Sequence, residues 1–451
     1  MTVAHIAWQY GETNTGGAAL SATRLHLALL ARGIDSHYIC VHNREGEESL
    51  KSLKGLKGLK SEENNPQTFK PSNSQTSLAV HELPRGILRK MYLFLTKLTR
   101  VVWRFTKYHR SISINAVPLF GLEAELKKIK PDIVHVQWIN ADVCTYEQLA
   151  KLPYKLVFNL HDLYMLCGFD VHPGDDPRFE EGYTRANSSR LETWLFNRKR
   201  RLVEKTNPSF IADSRWVESM CRRSFLGRNR PVRAIYNLPD ALFLVGTLKP
   251  SNPQTFKPSN SQTFKLSNPQ TFKLLFGCFG GLTNHFKGFP DLLKAFEFLT
   301  PEERSRLELR VFGSKELARS EAEKCEKLGI RMVNLGIPSN EDLRKEYLTA
   351  DLFLFPSVKE TIGMTKVEAL FCGTPVVAFE RTACAEGIIH GETGWIAPDG
   401  DCQSYAEGIR HCLAHPVDRA TVVAKTAEIF SSDKILKDVL DVYTQSLRRN
   451  R

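Results

Sequence analysis

The sequence predicts an α/β protein made of two doubly wound parallel sheets. Short apolar runs bounded by turn residues alternate with longer amphipathic stretches along most of the chain, the pattern of parallel strands joined by crossover helices. The 451 residues are too many for one ordinary core and enough for two. A polar octapeptide repeat interrupts the alternation between residues 251 and 273, after which it starts afresh.

In the first half, Val3 to Trp8 reads as a strand, Ala18 to Ala31 as a helix closed by Gly33, and Ile34 to Val41 as the next strand. Asp132 to Gln137, Leu156 to Leu160, Phe210 to Asp213 and Val232 to Tyr236 continue the series. The second half repeats it with Leu274 to Phe279, Leu307 to Phe312, Arg331 to Leu335, Leu352 to Phe355 and Val376 to Phe379. Helices are expected at Asp291 to Phe298 and Ser314 to Leu328. The domains expected are therefore 1–250, with a low-complexity insertion at 64–77, then a linker at 251–273 and a second domain at 274–430. A last helix, within 431–451, spans about Asp433 to Leu447.

The repeat begins Ser251-Asn252-Pro253-Gln254-Thr255-Phe256-Lys257-Pro258, with near copies from Ser259 and Ser267 and a relative from Asn64. A polar unit with proline cannot bury a core, and its period matches no solenoid or heptad. Both stretches read as disordered insertions, tolerated at surface loops and domain boundaries.

Glu360 and Glu368 carry the most chemical information. The buried strand Asp351 to Phe355 precedes them, and Thr365 to Cys372 reads as a helix with Gly373 at its C-cap. Glu360 then lies just past the carboxyl end of a strand, where open α/β sheets bind ligands, and Glu368 about one turn inside the helix. Eight helical residues would separate the pair by roughly 12 Å. A glycosidase dyad needs about 5 to 9.5 Å, which argues against hydrolysis. A plainer reading is that carboxylates gather at a helix N-terminus because its dipole attracts them.

The surrounding residues resemble a known family. Pro356-Ser357, the two glutamates, Gly373-Thr374-Pro375-Val376-Val377-Ala378 and Gly391-Glu392-Thr393-Gly394 are similar to the donor site of family 4 glycosyltransferases, retaining enzymes of the GT-B fold. The resemblance covers nearly the whole chain outside the repeats. It implies two Rossmann-like domains facing each other across a cleft, with the last helix crossing back onto the first. One departure stands out: the family has Glu-Gly-Phe-Gly where this chain has Glu360-Thr361-Ile362-Gly363.

The resemblance implies that Glu368 takes the ribose hydroxyls and Glu360 the hydroxyls of the donor sugar, helped by the backbone amides of Ile362, Gly363 and Met364. Lys287, before Gly288, is implied to offset diphosphate charge. The arginine the family has a few residues earlier is missing from Gly281-Leu282-Thr283-Asn284-His285-Phe286, leaving Asn284 or His285 as substitutes. Asn14-Thr15-Gly16-Gly17, between the first strand and helix, can bring backbone amides to a phosphate, although Gly-Gly alone is a turn more often than a ligand site. It is not a dinucleotide fingerprint. In the family the matching loop, here Gly16 and Gly17, faces the donor diphosphate and acceptor. His161, before Asp162 at a strand end, is implied to orient the sugar or the attacking hydroxyl; a lone histidine there is otherwise structural. Cys167, His172, Asp175 and Asp176 do not make a metal site, and neither metal nor cofactor is expected.

Hydrophobic residues at 42% and charged residues at 25% fit a soluble globular protein. Ten cysteines without a Cys-x-x-Cys pair argue against a disulfide framework. The start has no leader features and no apolar run reaches a membrane span, so a cytoplasmic location is expected. A net charge of +12 calls for an anionic partner, a nucleotide sugar or anionic lipid rather than nucleic acid, for which no module is present. Within 86–107, Arg89, Lys90, Lys97, Arg100, Arg104 and Lys107 fall in an arc of about 100° on a helix. Leu88, Met91, Leu95, Leu98, Val102 and Phe105 lie opposite. Such a helix suits an anionic membrane surface, here the inner face of the cytoplasmic membrane, and equally suits packing on the first domain. Arg198-Lys199-Arg200-Arg201 reads as a solvated helix face.

The expected function is transfer of a sugar from a nucleotide-diphosphate sugar to a glycan or lipid-linked acceptor in bacterial surface polysaccharide synthesis. The alternative is a catalytically weak, membrane-associated polysaccharide-assembly protein of the same fold.

Overall fold

Every strand of the structure, a computed structural model, runs parallel to its neighbours, which is why the strands read as near-continuous apolar runs. It describes residues 1–11, 17–43, 79–83, 114–116, 118–140, 143–244, 271–317 and 319–449. The octapeptides within 64–77 and 251–270, the amphipathic stretch 86–107 and Gly16 lie outside the described residues. The chain divides into two units, Met1–Leu238 with Asp433–Arg451, and Pro239–Ser432.

In unit 1 the strands are β1 (Thr2–Tyr10), β2 (Asp35–Asn43), β3 (Val80–Glu82), β4 (Ile133–Val136), β5 (Lys155–Leu160), β6 (Ser209–Ala212) and β7 (Val232–Ala234). They form one seven-stranded sheet in the order β3-β2-β1-β4-β5-β6-β7. The reversal of strand order beside β1 is the topological switch point at which such sheets build their sites. One face packs Val134, Val136, Phe158 and Phe210 with the surrounding helices. The other packs Val3, Ile133, Val157 and Ile211 against Ile435, Leu436, Val439 and Tyr443 of the last helix, Ser432–Arg448. Tyr443 Oη also lies 2.7 Å from His135 Nδ1, so this helix is held by a buried polar contact as well as by packing.

In unit 2 the strands are β8 (Phe272–Gly277), β9 (Leu307–Phe312), β10 (Arg331–Gly336), β11 (Leu352–Phe355), β12 (Val376–Glu380) and β13 (Gly394–Pro398). Their order is β10-β9-β8-β11-β12-β13, with the switch between β8 and β11. Leu274, Phe276, Leu309, Leu354 and Val377 fill the core beneath Phe289, Leu292 and Phe296 of the helix Phe289–Glu297.

Several sequence expectations need correction. β3 and β13 have no counterpart among the strands expected from the sequence. β3 has only three residues, and β13 runs from a glycine to a proline. Proline is tolerated there because β13 is an edge strand. β8 starts two residues early, because Phe272 and Lys273 pair with Leu307 and Glu308. The helix expected from Ser314 begins only at Arg319: the Ser314 hydroxyl donates to Glu316 O at 2.6 Å, a local bond that competes with helix formation.

The basic run 198–201 is not wholly a solvated face, because Arg198 and Lys199 are buried. Arg198 Nη2 donates to Glu147 Oε2 and to Asn115 O, at 2.6 and 2.8 Å. Lys199 Nζ donates to Tyr164 O, Cys167 O and Gly168 O at 2.6, 3.0 and 3.0 Å, and burial pushes its pKa down to about 7. All ten cysteines are buried. Among the described residues no helix is long and apolar enough to cross a membrane.

Candidate functional site

β11 delivers the chain to the carboxyl edge of the unit 2 sheet at Phe355, and Pro356 turns it away. The loop that follows carries Glu360, and the helix Met364–Phe371 opens immediately after Gly363. Gly363 has φ 77, and a Cβ there would stand 2.4 Å from the ring of Phe355, so only glycine lets the helix start against the end of β11. Ile362 is buried beneath the loop and Met364 is half-buried at the first turn. The opening turn has its leading backbone N–H groups directed out of the helix, as at any helix N-terminus.

Lys287 reaches the same loop from β8. It ends the single 3-10 turn His285–Lys287, and Gly288 follows with φ 70. A Cβ on Gly288 would lie 1.9 Å from Pro356 O, so the two loops touch backbone to backbone. Val358 N donates to Phe286 O at 2.8 Å and completes the junction. Across it, Lys287 Nζ lies 2.7 Å from Glu360 Oε1, both side chains being largely shielded from solvent. Asn284 braces its own loop, accepting from Phe286 N and donating to Phe279 O.

Glu368 sits on the buried side of the helix, 8% exposed, beside Tyr347. Burial, reinforced by the Glu368 carboxylate, raises the Tyr347 phenol far above its ordinary pKa. The structure thus gathers Lys287, Glu360, Ile362, Gly363, Met364 and Glu368 on two adjoining loops and one helix. Sequence reasoning missed Thr382 and Lys366. Thr382 Oγ1 accepts from Glu360 N at 3.1 Å, and Lys366 Nζ donates to the loop that carries Thr382.

In unit 1, His161 lies one residue past β5 and is fixed on both ring nitrogens. Nδ1 is 2.9 Å from Asp213 Oδ2 and Nε2 is 3.0 Å from Gln137 Oε1. Asp213 also accepts from Asn159 Nδ2 at 2.6 Å and from Asn237 Nδ2 at 2.9 Å. Asn237 is bonded in turn to Ser21 Oγ, in the helix Gly17–Ala31. Gly17 opens that helix in open space, with nothing within 4 Å of where a Cβ would be. Ser21, Gln137, Asn159, His161 and Asn237 line one small cavity. Asp162 points elsewhere: it accepts from Trp138 Nε1, Asn140 Nδ2 and Tyr164 N, and burial raises its pKa.

Gln137 and Asp213 were legible in principle. Each is the first polar residue beyond β4 and β6, as His161 is beyond β5, so one rule about strand ends would have found all three.

A model of Glycosyltransferase Family 4 matches residues 15–241, and a model of group 1 glycosyl transferases matches 261–429. The chain belongs to glycosyltransferase family 4. An uncharacterized glycosyltransferase of Methanocaldococcus jannaschii is 31% identical over 172 residues, 37% of this chain and 43% of the relative. The match therefore spans less than half the length of that curated protein. Among solved structures, sucrose-phosphate synthase from Thermosynechococcus elongatus aligns with TM-score 0.60 at 17% identity, covering 98% of each chain. Anabaena HepE, solved in complex with UDP-glucose, aligns with TM-score 0.57 at 16% identity, covering 99% of this chain and 100% of its own. These likenesses show the GT-B fold with its two parallel-sheet α/β domains.

Proposed function

We propose that this family 4 glycosyltransferase is a retaining enzyme that moves a sugar from a nucleotide-diphosphate sugar to a glycan or lipid-linked acceptor. The observation that carries the reading is the Lys287–Glu360 pair, set before the N-terminus of the helix that bears Glu368. An ammonium and a helix N-terminus together suit a diphosphate, and they stabilise the charge that grows on it as the glycosidic bond breaks. A carboxylate beside them accepts hydrogen bonds from sugar hydroxyls. Glu368 takes the ribose hydroxyls, Glu360 the sugar hydroxyls, and the amides of Ile362, Gly363 and Met364 help hold the sugar.

In unit 1, His161 is the group that orients the sugar or the attacking hydroxyl. The Gly16-Gly17 loop is assigned to the diphosphate. Unit 1 is then the acceptor domain and unit 2 the donor domain. Family 4 chemistry runs on the donor's front face with positioned charges and needs no metal. The setting in bacterial surface polysaccharide synthesis, at the inner face of the cytoplasmic membrane, is supported by the family resemblance alone.

Thermal unfolding of the full chain against a panel of UDP- and GDP-sugars tests the proposal. A donor at about one hundred times its Kd stabilises by about 2.7 kcal/mol and raises the unfolding temperature. If no nucleotide sugar and no free UDP or GDP shifts it, the alternative of a catalytically weak assembly protein takes over. The Thr361 departure and the missing arginine favour that alternative.

A further inference from the structure

Thr382 has φ 47, a left-handed conformation that β-branched residues avoid. A strained backbone of this kind persists only where its surroundings hold it, and it clusters at functional sites. Here the surroundings are specific. Lys366, in the first turn of the helix Met364–Phe371, is fully buried, and its Nζ donates to Ala383 O and Cys384 O, both at 2.9 Å. No carboxylate forms an ion pair with it among the described residues; the ammonium is held by backbone carbonyls and lies 5.5 Å from the centre of the Phe355 ring. Cys384 Sγ donates to Ser357 O at 3.1 Å, tying the same turn to the loop after β11.

The turn so held grips Glu360 at both of its backbone groups. Glu360 N donates to Thr382 Oγ1 at 3.1 Å, and Glu360 O accepts from Ala383 N at 3.3 Å. We propose that Lys366 and Thr382 are positioning residues for Glu360. In this scheme the buried ammonium fixes the 382–384 turn, and the Thr382 hydroxyl sets the backbone from which the Glu360 carboxylate projects. This supplies from outside the loop a constraint on a segment where Thr361 stands in place of glycine. The chain tolerates the strain at Thr382 because glycine, which fits φ 47 freely, has no hydroxyl to offer. The inference rests on the reading of Glu360 as a ligand of the donor sugar.

Burial pushes the Lys366 pKa down to about 8, with the Cys384, Glu386 and Glu360 side chains opposing that fall. Arg381, one residue before the turn, is paired with Asp291 and Asp399 and so is committed elsewhere.

The test compares Thr382→Val, Thr382→Ser, Thr382→Gly and Lys366→Met in the full chain. Each is titrated with free UDP and free GDP, and with whichever of UDP-glucose, UDP-galactose, UDP-N-acetylglucosamine and GDP-mannose the unmodified chain turns over. Thr382→Gly relieves the backbone, so a loss it shares with Thr382→Val comes from the missing hydroxyl and not from strain at φ 47. The expected result is that Thr382→Val, Thr382→Gly and Lys366→Met keep their affinity for free nucleotide. Their turnover of the nucleotide sugar falls about tenfold, the kind of loss expected of Glu360→Ala and the size expected for losing one hydrogen bond to the positioned group. Thr382→Ser restores the parent value. Equal loss for nucleotide and nucleotide sugar, or no loss in any variant, overturns the positioning role. Should the unmodified chain bind no nucleotide sugar at all, the donor-site reading itself is lost, which is a separate outcome.

Discussion

Lys287 and Glu360, 73 residues apart in the chain, meet at 2.7 Å between Nζ and Oε1. Each neutralises the other, so the loops carry their charges without leaving an unpaired ion in a shielded place. On the proposed reading, a donor brings phosphate oxygens to the ammonium and hydroxyls to the carboxylate. The pair is then expected to give way when a donor binds.

Replacing Glu360 by alanine separates the two ligands of the pair. Free UDP or GDP is expected to bind as before, while the barrier to turnover rises by about 1.5–3 kcal/mol, slowing it roughly ten- to hundredfold. Lys287→Ala is expected to do the opposite and weaken the free nucleoside diphosphates. Calorimetric titration beside a rate assay reads both, and full activity in Glu360→Ala would contradict the assignment.

Glu368→Ala removes the carboxylate assigned to the ribose. Because the side chain is nearly buried next to Tyr347, a folding control by circular dichroism belongs with it. The variant is expected to lose about 1.5–3 kcal/mol in binding of UDP or GDP, roughly ten- to hundredfold in Kd. Unchanged affinity removes the ribose role.

Asp213→Asn replaces a carboxylate that accepts from His161, Asn159 and Asn237 with a group that presents N–H to one of those donors. His161 loses its fixed orientation. Turnover is expected to drop about tenfold or more, within the range for a displaced acid–base or orienting group. Nucleotide affinity is expected to stay put, because neither His161 nor Asp213 is assigned to the nucleotide. A variant as active as the parent makes the His161–Asp213 contact merely structural.

Acid should weaken unit 1 selectively. His135 is held down to about pKa 3, first by burial and then by the nearby His161, and burial lowers His5 and His26 as well. Their folded pKa values lie below the unfolded value of about 6.5, so between the two the unfolded chain binds more protons. Stability is therefore lost as pH falls from 6.5 toward 3, by up to about 1.4 kcal/mol per pH unit for each such histidine. Scanning calorimetry at pH 7.5 and pH 5 should show a transition that moves down in temperature, accompanied by loss of the Tyr443–His135 contact. A transition that stays in place, or a histidine resonance titrating near 6.5 for His135, refutes this.

Much of this molecule could be read from its residues because parallel strands announce themselves. Leu307–Phe312 and Leu352–Phe355 are found at the bounds expected, since both faces of each are buried and no polar residue blurs the ends. Val80–Glu82 and Gly394–Pro398 escaped because an edge strand needs neither length nor apolar side chains. The candidate site divides the same way. Glu360, Gly363 and Glu368 share one local pattern, whereas the contacts of Glu360 with Lys287 and Thr382 are made by chain folding and leave no periodic trace. Lys366 was invisible for another reason. A lysine within a helix reads as solvated, and only the carbonyls of Ala383 and Cys384, brought back by β12 and the turn after it, explain its burial.

A crystal structure of the full chain grown with the most stabilising UDP- or GDP-sugar tests the central claim most directly. The account predicts ribose hydroxyls within hydrogen-bonding distance of Glu368, diphosphate oxygens at Lys287 in place of Glu360, and sugar hydroxyls at Glu360. Density for the nucleotide elsewhere, with Lys287 and Glu360 still paired and Glu368 untouched, would contradict it.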